Sequence, residues 1–462
     1  MNAARADSAL PSPRADGNRV LWLYAISITI WALDFRALRG QSALAYQAPI
    51  LMVYLSCFVL IVLAASKRGI GIGPLWVFMA VIGLFMIDSS IAGLINGQPA
   101  YAIIANLIPL SLYLTAAIST YIVLSLGSGE AHPILQALRV SCLVSSVGHL
   151  AVIIVSRGGI NLATSRYEVL SGAVIPSLGI IAVGLTQRVS ALDLAVVVFN
   201  LVVSLLSVTR TLIGVLAGQV MLVILARPGV LFSPTTRRSG LAFGLILLSL
   251  IGADFVAGTG LAGRWTERLA VHSKFLADPS ALIRLAETHF MWDRFKSTPD
   301  RLLFGNGLAS VTSAIGREDV QAESLVGREA AHIHTTGIGH ENYVGILYVA
   351  GLVGGGGVIV LQFVNALQSF ALIRTLQLRR LQYRHYDAHV GIWGGVIVLG
   401  ILAAGFGAGI FGDRPTMTWL GVGTGILYWA RQLMLASETP PVEQPAGRFA
   451  RSPRTINSYP RP

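Results

Sequence analysis

Long apolar runs recur along almost the whole chain, and they constrain its fold more than any other feature of the sequence. About twelve of these runs have the roughly 17 to 25 residues that cross a bilayer. Most of them lack the polar face that a helix needs in a water-soluble protein. The composition agrees, with 54% hydrophobic and 12% charged residues and a mean hydropathy of +0.68. We therefore expect an all-α polytopic membrane protein. The runs lie near residues 20–37, 43–65, 73–95, 100–126, 134–156, 169–187, 190–208, 211–226, 239–257, 342–370, 389–411 and 416–437.

The spacing of the runs divides the chain into five parts. We expect a disordered N-terminus at 1–19, membrane helices 1 to 9 at 20–257, one large structured outer loop at 258–341, membrane helices 10 to 12 at 342–437, and a disordered C-terminus at 438–462. Both ends are polar and carry no apolar run, which favours disorder. The first run is as short as a signal peptide, but it lacks a small-residue cleavage site and further spans follow. This favours a membrane anchor.

Basic residues are distributed unevenly between the two sides of this arrangement. With both termini in the cytoplasm, eighteen Lys or Arg residues fall in inside segments and six in the short outside loops. That is the asymmetry of the positive-inside rule. It also accounts for the net charge of +12, because the basic residues are spread over many loops and form no single basic face of the kind that binds nucleic acid. We expect cytoplasmic termini, the lipid bilayer as a partner and no nucleic-acid partner.

The sequence contains few residue patterns that could bind a metal or a cofactor. Cys57 and Cys142 both lie inside apolar runs, and the chain has no P-loop, HExxH pair or outward Asp-x-Asp cluster. The triplet His332-Ile333-His334, even with His340 added, is weak evidence for a metal site. We expect no metal and no cofactor.

The outer loop has a composition unlike the rest of the chain. It carries nine Lys or Arg and nine Asp or Glu through residue 329, together with several aromatic residues, and we expect it to fold. The run ALIRLAETHFMWDRFKS predicts an amphipathic helix that lies on the membrane surface or caps the bundle. We expect Pro299 to end that helix, and LLFGNGLAS to form a tight turn at Gly305 and Gly307.

The loop runs into the next membrane helix through the segment HTTGIGHENYVGILYVAGLVGGGG, residues 334–357. Its last histidine and its glutamate directly precede an apolar helix. The sequence concentrates its polar residues of interest here, at the outer ends of spans and in the outer loop. A reaction on that side cannot draw on cytoplasmic nucleotides, so an activated donor would have to arrive on a lipid.

The order of these motifs resembles the O-antigen ligase and O-antigen polymerase family. The resemblance rests on Arg284, on LLFGNGLAS, on His340-Glu341-Asn342-Tyr343 and on Gly351-Leu352-Val353-Gly354. It covers roughly residues 160–360. In SVTR, Arg210 at the head of a span resembles the family's Ser-Arg pair, and Arg166 resembles an earlier element more weakly. Glu341 departs from the pattern, because the family usually has asparagine beside the histidine and here the asparagine is residue 342.

The resemblance implies a bacterial inner-membrane enzyme whose site faces the periplasm. Its donor would be a glycan on undecaprenyl diphosphate, and its acceptor another glycan or lipid A-core. Ligase and polymerase share this donor site and both remain open. His340 would act as the general base, Arg210 and Arg284 would clamp the diphosphate in place of a metal, and one displacement would invert the anomeric centre. Arg166, Glu341, Asn342 and Tyr343 would bind substrate.

Three of these residues also have simpler interpretations. Arg210 could extend to lipid headgroups, Arg284 could be a solvated position on its helix, and His340 could cap a helix. The main rival function is a transporter such as a lipid-linked oligosaccharide flippase, but the sequence shows no inverted repeat of the kind many transporters carry. A scaffold role would leave the outer arginines and the histidine unexplained.

Overall fold

The described part of the chain is entirely helical in its regular structure. The computed structural model describes residues 13–31, 41–126, 131–157, 170–187, 189–207, 209–234, 279–312, 341–379, 385–407 and 409–438, with a few short pieces between 236 and 266 and single residues at 320, 324 and 339. These residues form helices and no strand, which confirms the all-α prediction for the part described. The helices are α1 (Pro13–Trp31), α2 (Gln41–Lys67), α3 (Trp76–Ile95), α4 (Ala100–Leu126), α5 (His132–Arg157), α6 (Val174–Gly184), α7 (Ala191–Leu206), α8 (Arg210–Ala226), α9 (Pro279–Phe295), α10 (Pro299–Phe304), α11 (Asn342–Ala350), α12 (Gly356–Leu378), α13 (His385–Ala404) and α14 (Arg414–Glu438).

The helices identify a membrane protein. Six helical segments of the described residues are long and apolar enough to cross a bilayer. Large apolar side chains such as Leu60, Ile87 and Phe363 stand exposed on them, as expected where a helix faces lipid. Each predicted run except 239–257, of which only scattered residues are described, overlaps at least one of the helices. The count of twelve spans remains a prediction, because α6, α7 and α8 have only 11, 16 and 17 residues.

Helix α13 lies at the centre of the bundle. It packs against α6, α8, α12 and α14, and most of its side chains are buried. Its fully buried Trp393 donates a hydrogen bond from Nε1 to the carbonyl of Pro176 at 2.8 Å. A large aromatic side chain with a satisfied N–H thereby joins α13 to α6.

Helices α4 and α14 form the most extensive helix pair in the bundle. A Cβ atom at Gly421 would lie 2.5 Å from the carbonyl oxygen of Tyr113, and one at Gly425 would lie 2.5 Å from that of Ala117. Only glycine therefore fits at these two positions. Small residues allow membrane helices to approach closely, and dispersion contacts rather than the hydrophobic effect then hold them together.

Side-chain contacts establish which helix ends lie together. Gln219 of α8 donates to the carbonyl of Val396 in α13 at 3.2 Å, and Arg227 just after α8 donates to the carbonyl of Gln377 near the end of α12 at 3.1 Å. Helix α8 therefore runs antiparallel to α13 and starts near the end of α13. The first residue of α11 also bonds there, since the N–H of Asn342 donates to the carbonyl of Gly405 at 3.1 Å. We call the side of the bundle where α8 starts, α13 ends and α11 starts the α11 end of the bundle.

The segment between 279 and 312, which the predicted topology places outside and which we call the outer segment, forms two helices rather than one. The predicted amphipathic helix is confirmed as α9, and it packs on α11 as a cap on the bundle. The expectation that Pro299 ends it is wrong: α9 ends at Phe295, and Pro299 begins α10. Thr298 is the N-cap residue of α10, and its side chain accepts from the N–H of Arg301. Proline is favourable at a first helical position because its fixed φ suits the helix and its missing N–H would have no partner there.

Candidate functional site

The glycine turn of the outer segment inserts against the backbone of α11. Gly305 and Gly307 have φ of +77° and +85°, a region that favours glycine, so the predicted tight turn is confirmed. The N–H groups of Asn306 and Gly307 donate to the carbonyls of Tyr348 and Val349 at 2.7 and 2.8 Å. The turn is thus joined to the membrane helix by main-chain hydrogen bonds.

These two carbonyls are available because α11 stops inside the apolar segment. The helix ends at Ala350, Gly351 has a φ of +58°, and a single π turn at Gly351–Gly355 precedes α12. The last carbonyls of a helix have no partner within it. Irregular backbone at membrane depth is tolerated only where protein or water forms hydrogen bonds to its free polar groups. Here the N–H groups of the glycine turn bond the two free carbonyls.

The other side of the turn contacts α3. The N–H of Leu308 donates to the carbonyl of Ser89 at 2.9 Å, and Nδ2 of Asn96 donates to the carbonyl of Asn306 at 3.1 Å. The Cα of Gly307 lies so close to Gly93 that a Cβ would overlap the backbone of that residue. The turn is therefore wedged between α3 and α11, and it fixes the position of the outer segment on the bundle.

Helix α9 lies over the chain that leads into α11. Gly339 has a φ of +73° and lies against Met291, and a Cβ added to it would be 3.7 Å from Oε2 of Glu287. Glu287 is only 5% exposed. Residue 339 also contacts Gly409 through its carbonyl oxygen. Gly339 is thus enclosed between α9 and the connection from α13 to α14.

The first turn of α11 is held by two consecutive side chains. Glu341 is the N-cap residue, and its Oε2 accepts from the N–H of Val344 at 2.8 Å. Asn342 is fully buried, and its Oδ1 accepts from the N–H of Phe411 at 3.1 Å. Both carboxylate and amide favour a defined start of the helix. Glu341 therefore has a structural role beside any contact with substrate.

Tyr343 fixes the same helix to the end of α13. Its hydroxyl donates to the carbonyl of Leu402 at 2.6 Å, and its ring packs on Phe406 with centroids 4.7 Å apart. In this conformation the phenol hydroxyl therefore has its hydrogen-bond partner within the protein. The structure thus assigns Tyr343 a positioning contact at the predicted site.

Arg284 reaches the same connection from α9. Its Nη1 lies 3.3 Å from where a Cβ of Gly407 would be. Among the residues that the structure describes, its buried Nε has no hydrogen-bond partner, and neither has the buried Nδ2 of Asn342. Buried donors in proteins are nearly always paired, so two such donors against the segment 405–411 indicate a ligand that supplies acceptor oxygens. We call Arg284, Glu341, Asn342 and the segment 405–411 the α11 site.

Three sequence-predicted residues lie wholly or partly outside what the structure describes. Arg210 is the first residue of α8, so its backbone lies at the α11 end, but its side chain is not among those described. His340 and Arg166 lie outside the described residues. The neighbours of His340 in the chain, Gly339 and Glu341, both belong to the enclosed region around the site. The structure therefore brings together Arg284, Glu341, Asn342 and Tyr343, and leaves the roles of the other three as predictions.

Sequence reasoning missed Glu287 and the connection between α13 and α14. Glu287 follows Arg284 by three residues on a helix, so the two share a face, and this spacing was the available signal. Nothing in the local pattern around 405–411 indicates that its backbone would receive Asn342.

In the described part of the chain, no group of three or more His, Cys, Asp or Glu side chains is placed to hold a metal ion. No protein-family model matches the chain, and no curated protein matches it significantly.

Proposed function

We propose that the protein transfers a glycan from undecaprenyl diphosphate to a sugar hydroxyl of an acceptor, as an O-antigen ligase or an O-antigen or exopolysaccharide polymerase. The proposal places the reaction at the α11 site, on the periplasmic side of a bacterial inner membrane. The chain would have about twelve spans and both termini in the cytoplasm. The motif resemblance and the geometry of the α11 site support it together.

One observation carries the proposal: the two unpartnered buried donors of the α11 site. A lipid diphosphate presents several negatively charged acceptor oxygens at the membrane boundary. The guanidinium of Arg284 suits them because it stays charged and its planar fork binds two oxygens at once. The Nδ2 of Asn342 adds a neutral donor close to the start of α11, where the helix dipole also favours an anion.

The chemical step follows from the residue types. His340 removes the proton from the acceptor hydroxyl, and that oxygen attacks the anomeric carbon of the donor sugar. The bond from this carbon to the diphosphate oxygen breaks, and the electron pair leaves with the lipid diphosphate. Arg284 and Arg210 stabilise the leaving charge without a metal. A neutral imidazole can accept the proton near neutral pH, and a single displacement inverts the anomeric centre.

Substrate contacts complete the assignment. Arg166 is proposed to bind the donor, while Glu341, Asn342 and Tyr343 shape the start of α11 and contact sugar or phosphate from there. Ligase and polymerase differ in their acceptor, which is lipid A-core or protein in the first case and a second lipid-linked repeat in the other. The α11 site fits the donor that both reactions share.

The proposal is tested in a strain whose copy of the gene is deleted. The wild-type protein, Arg284→Gln and Arg294→Gln are restored at matched membrane levels, and surface polysaccharides are separated on a gel. Arg294 lies on the same helix but is exposed, with its guanidinium over the ring of Phe290. We expect wild type and Arg294→Gln to restore long glycan and Arg284→Gln to fail. Full restoration by Arg284→Gln, or no restoration by wild type, would overturn the proposal.

The same gel separates the two subclasses. Single repeats attached to core in the deletion strain identify a missing polymerase. Complete chains that remain on the lipid carrier identify a missing ligase.

Transport is the second candidate, and one observation favours it. Transporters often bind substrate where a membrane helix is interrupted, and the π turn Gly351–Gly355 interrupts the segment formed by α11 and α12. Asp88 of α3 faces this turn, with its Oδ2 2.7 Å from where a Cβ of Gly354 would be, and this buried oxygen has no hydrogen-bond partner of ordinary geometry within the described part of the chain. Acidic residues at membrane depth often mark transport pathways. Movement of lipid-linked glycan between leaflets without transfer to an acceptor, abolished by Asp88→Asn, would favour this candidate.

A further inference from the structure

A second group of polar side chains lies deep in the bundle, away from the α11 site. Gln362, Asn365 and Ser369 are spaced by three and four residues on α12, so they share one face of the helix. They occupy about 10 Å of its length at 1.5 Å per residue, and each lies at least nine residues inside the apolar segment Asn342–Leu378. All three are buried, with exposures of 2%, 0% and 0%. We call them the amide row.

The polar atoms of the amide row lack close hydrogen-bond partners among the described residues. Both amide atoms of Gln362, both amide atoms of Asn365 and the hydroxyl of Ser369 are buried and make no hydrogen bond of ordinary geometry within the described part of the chain. Leaving a buried amide or hydroxyl unpaired destabilises the folded protein. Five such atoms on one helix face therefore indicate a bound species that satisfies them.

The surroundings of the amide row show what kind of species fits. The phenol of Tyr113 faces the amides of Gln362 and Asn365, and its hydroxyl lies 3.3 Å from Oγ1 of Thr424. Helix α4 and the stretches 356–373 and 415–430 carry no Asp, Glu, Lys or Arg. An ion would find no counter-charge on these walls. Unpaired donors and acceptors occur side by side, which suits a neutral ligand that both donates and accepts.

We propose that the amide row, with Tyr113 and Thr424, is an internal binding site for a cluster of water molecules. Water is the smallest ligand that donates and accepts, and buried water typically makes about three hydrogen bonds to otherwise unsatisfied groups. Below Ser369 the same helix face continues with Leu372, Ile373 and Leu376, all buried. These apolar side chains bound the amide row toward the far end of α12.

Radiolytic labelling tests the proposal with water itself as the probe. A synchrotron X-ray pulse converts water to hydroxyl radicals, which label aromatic rings beside bound water. Tyr24 and Tyr54 are matched controls on purified full-length protein: they are as buried as Tyr113, but their hydroxyls bond Thr120 and Thr115 at 2.9 and 3.1 Å. We expect labelling of Tyr113 to be about tenfold faster than of either control, because bound water lies beside it. Equal rates for the three tyrosines would overturn the proposal.

A variant provides a second measurement. Replacing the two amides together, as Gln362→Leu with Asn365→Leu, fills the site with apolar atoms of similar volume. We expect labelling of Tyr113 to fall to the rate of Tyr24, while Val364→Leu on the lipid-facing side of the same helix leaves it unchanged. Fast labelling of Tyr113 in the folded double variant would contradict the assignment of water to the amide row.

Discussion

At the scale of single residues, the charges of this protein fall into two kinds. Arg139 of α5 and Asp193 of α7 form a buried ion pair, with Nε to Oδ1 at 2.5 Å and Nη2 to Oδ2 at 2.6 Å. Asp193 also closes a capping box with Ser190 at the start of α7. The two opposite charges compensate each other, so this pair needs no ligand. Arg284, in contrast, has a buried Nε without a hydrogen-bond partner and no carboxylate paired with it among the described residues, and for this reason the proposed function assigns the diphosphate to Arg284.

The buried pair leads to a stability prediction. We expect Asp193→Ala to lower the free energy of unfolding by about 3 to 5 kcal/mol, because it leaves the charge of Arg139 buried and unpaired. Asp293→Ala is the control, since Asp293 and Lys296 form an exposed pair at 3.6 Å, and exposed pairs contribute about 0 to 1 kcal/mol. Equilibrium unfolding in mixed detergent micelles measures both. Equal effects of the two substitutions would contradict the structural role of the Arg139–Asp193 pair.

At the scale of elements, the glycine turn connects the outer segment to the membrane helices. It bonds the last turn of α11 on one side and α3 on the other. The arrangement depends on the interruption of α11 at Gly351, which leaves carbonyls for the turn. Together with the packing of α9 on α11, this contact holds α9 and its Arg284 over the start of α11.

A substitution in the turn tests this dependence. Gly307→Ala places a methyl group against the backbone of Gly93 at a φ of +85°, so we expect a loss of about 1 to 3 kcal/mol and release of the outer segment. Gly83→Ala in α3 is the control, because a Cβ there meets no atom within 4 Å and alanine favours helix. Thermal stability and limited proteolysis of the purified proteins measure the effect. Wild-type stability and protease resistance in Gly307→Ala would show that the turn does not anchor the segment.

Sequence reasoning predicted these elements unevenly, for physical reasons. Hydropathy locates membrane helices well, because lipid demands long apolar runs, and the φ requirements of Gly305 and Gly307 were visible as a glycine turn. Docking of that turn between α3 and α11 was not predictable, because it uses backbone groups that carry no side-chain signal. The expectation that polar residues concentrate at outer ends was incomplete, since Gln362 and Asn365 lie deep in the bundle. Single amides in an apolar run reveal nothing about which face is buried.

At the scale of the whole molecule, the account depends on which side of the membrane the α11 end faces. The predicted topology places Ser66 in the cytoplasm and Lys296 in the periplasm. With Cys57 and Cys142 replaced by alanine, Lys296→Cys should react with an impermeant maleimide in intact spheroplasts, whereas Ser66→Cys should react only after lysis, because the basic inside segments resist translocation. Both positions are exposed. The reverse pattern would place the α11 site in the cytoplasm and contradict a periplasmic reaction.

Glycan transfer itself is the central claim, and the most direct measurement is made on the purified protein in liposomes. A single turnover of undecaprenyl-diphosphate-linked glycan with an acceptor is followed for wild type, for His340→Ala and for His289→Ala, the last being an exposed histidine of α9. We predict release of undecaprenyl diphosphate together with an extended acceptor for wild type and His289→Ala, and a rate about 10² to 10⁴ lower for His340→Ala because the general base is lost. Transfer by His340→Ala at the wild-type rate would contradict the proposed role of this histidine, and no transfer by wild type would contradict the account as a whole.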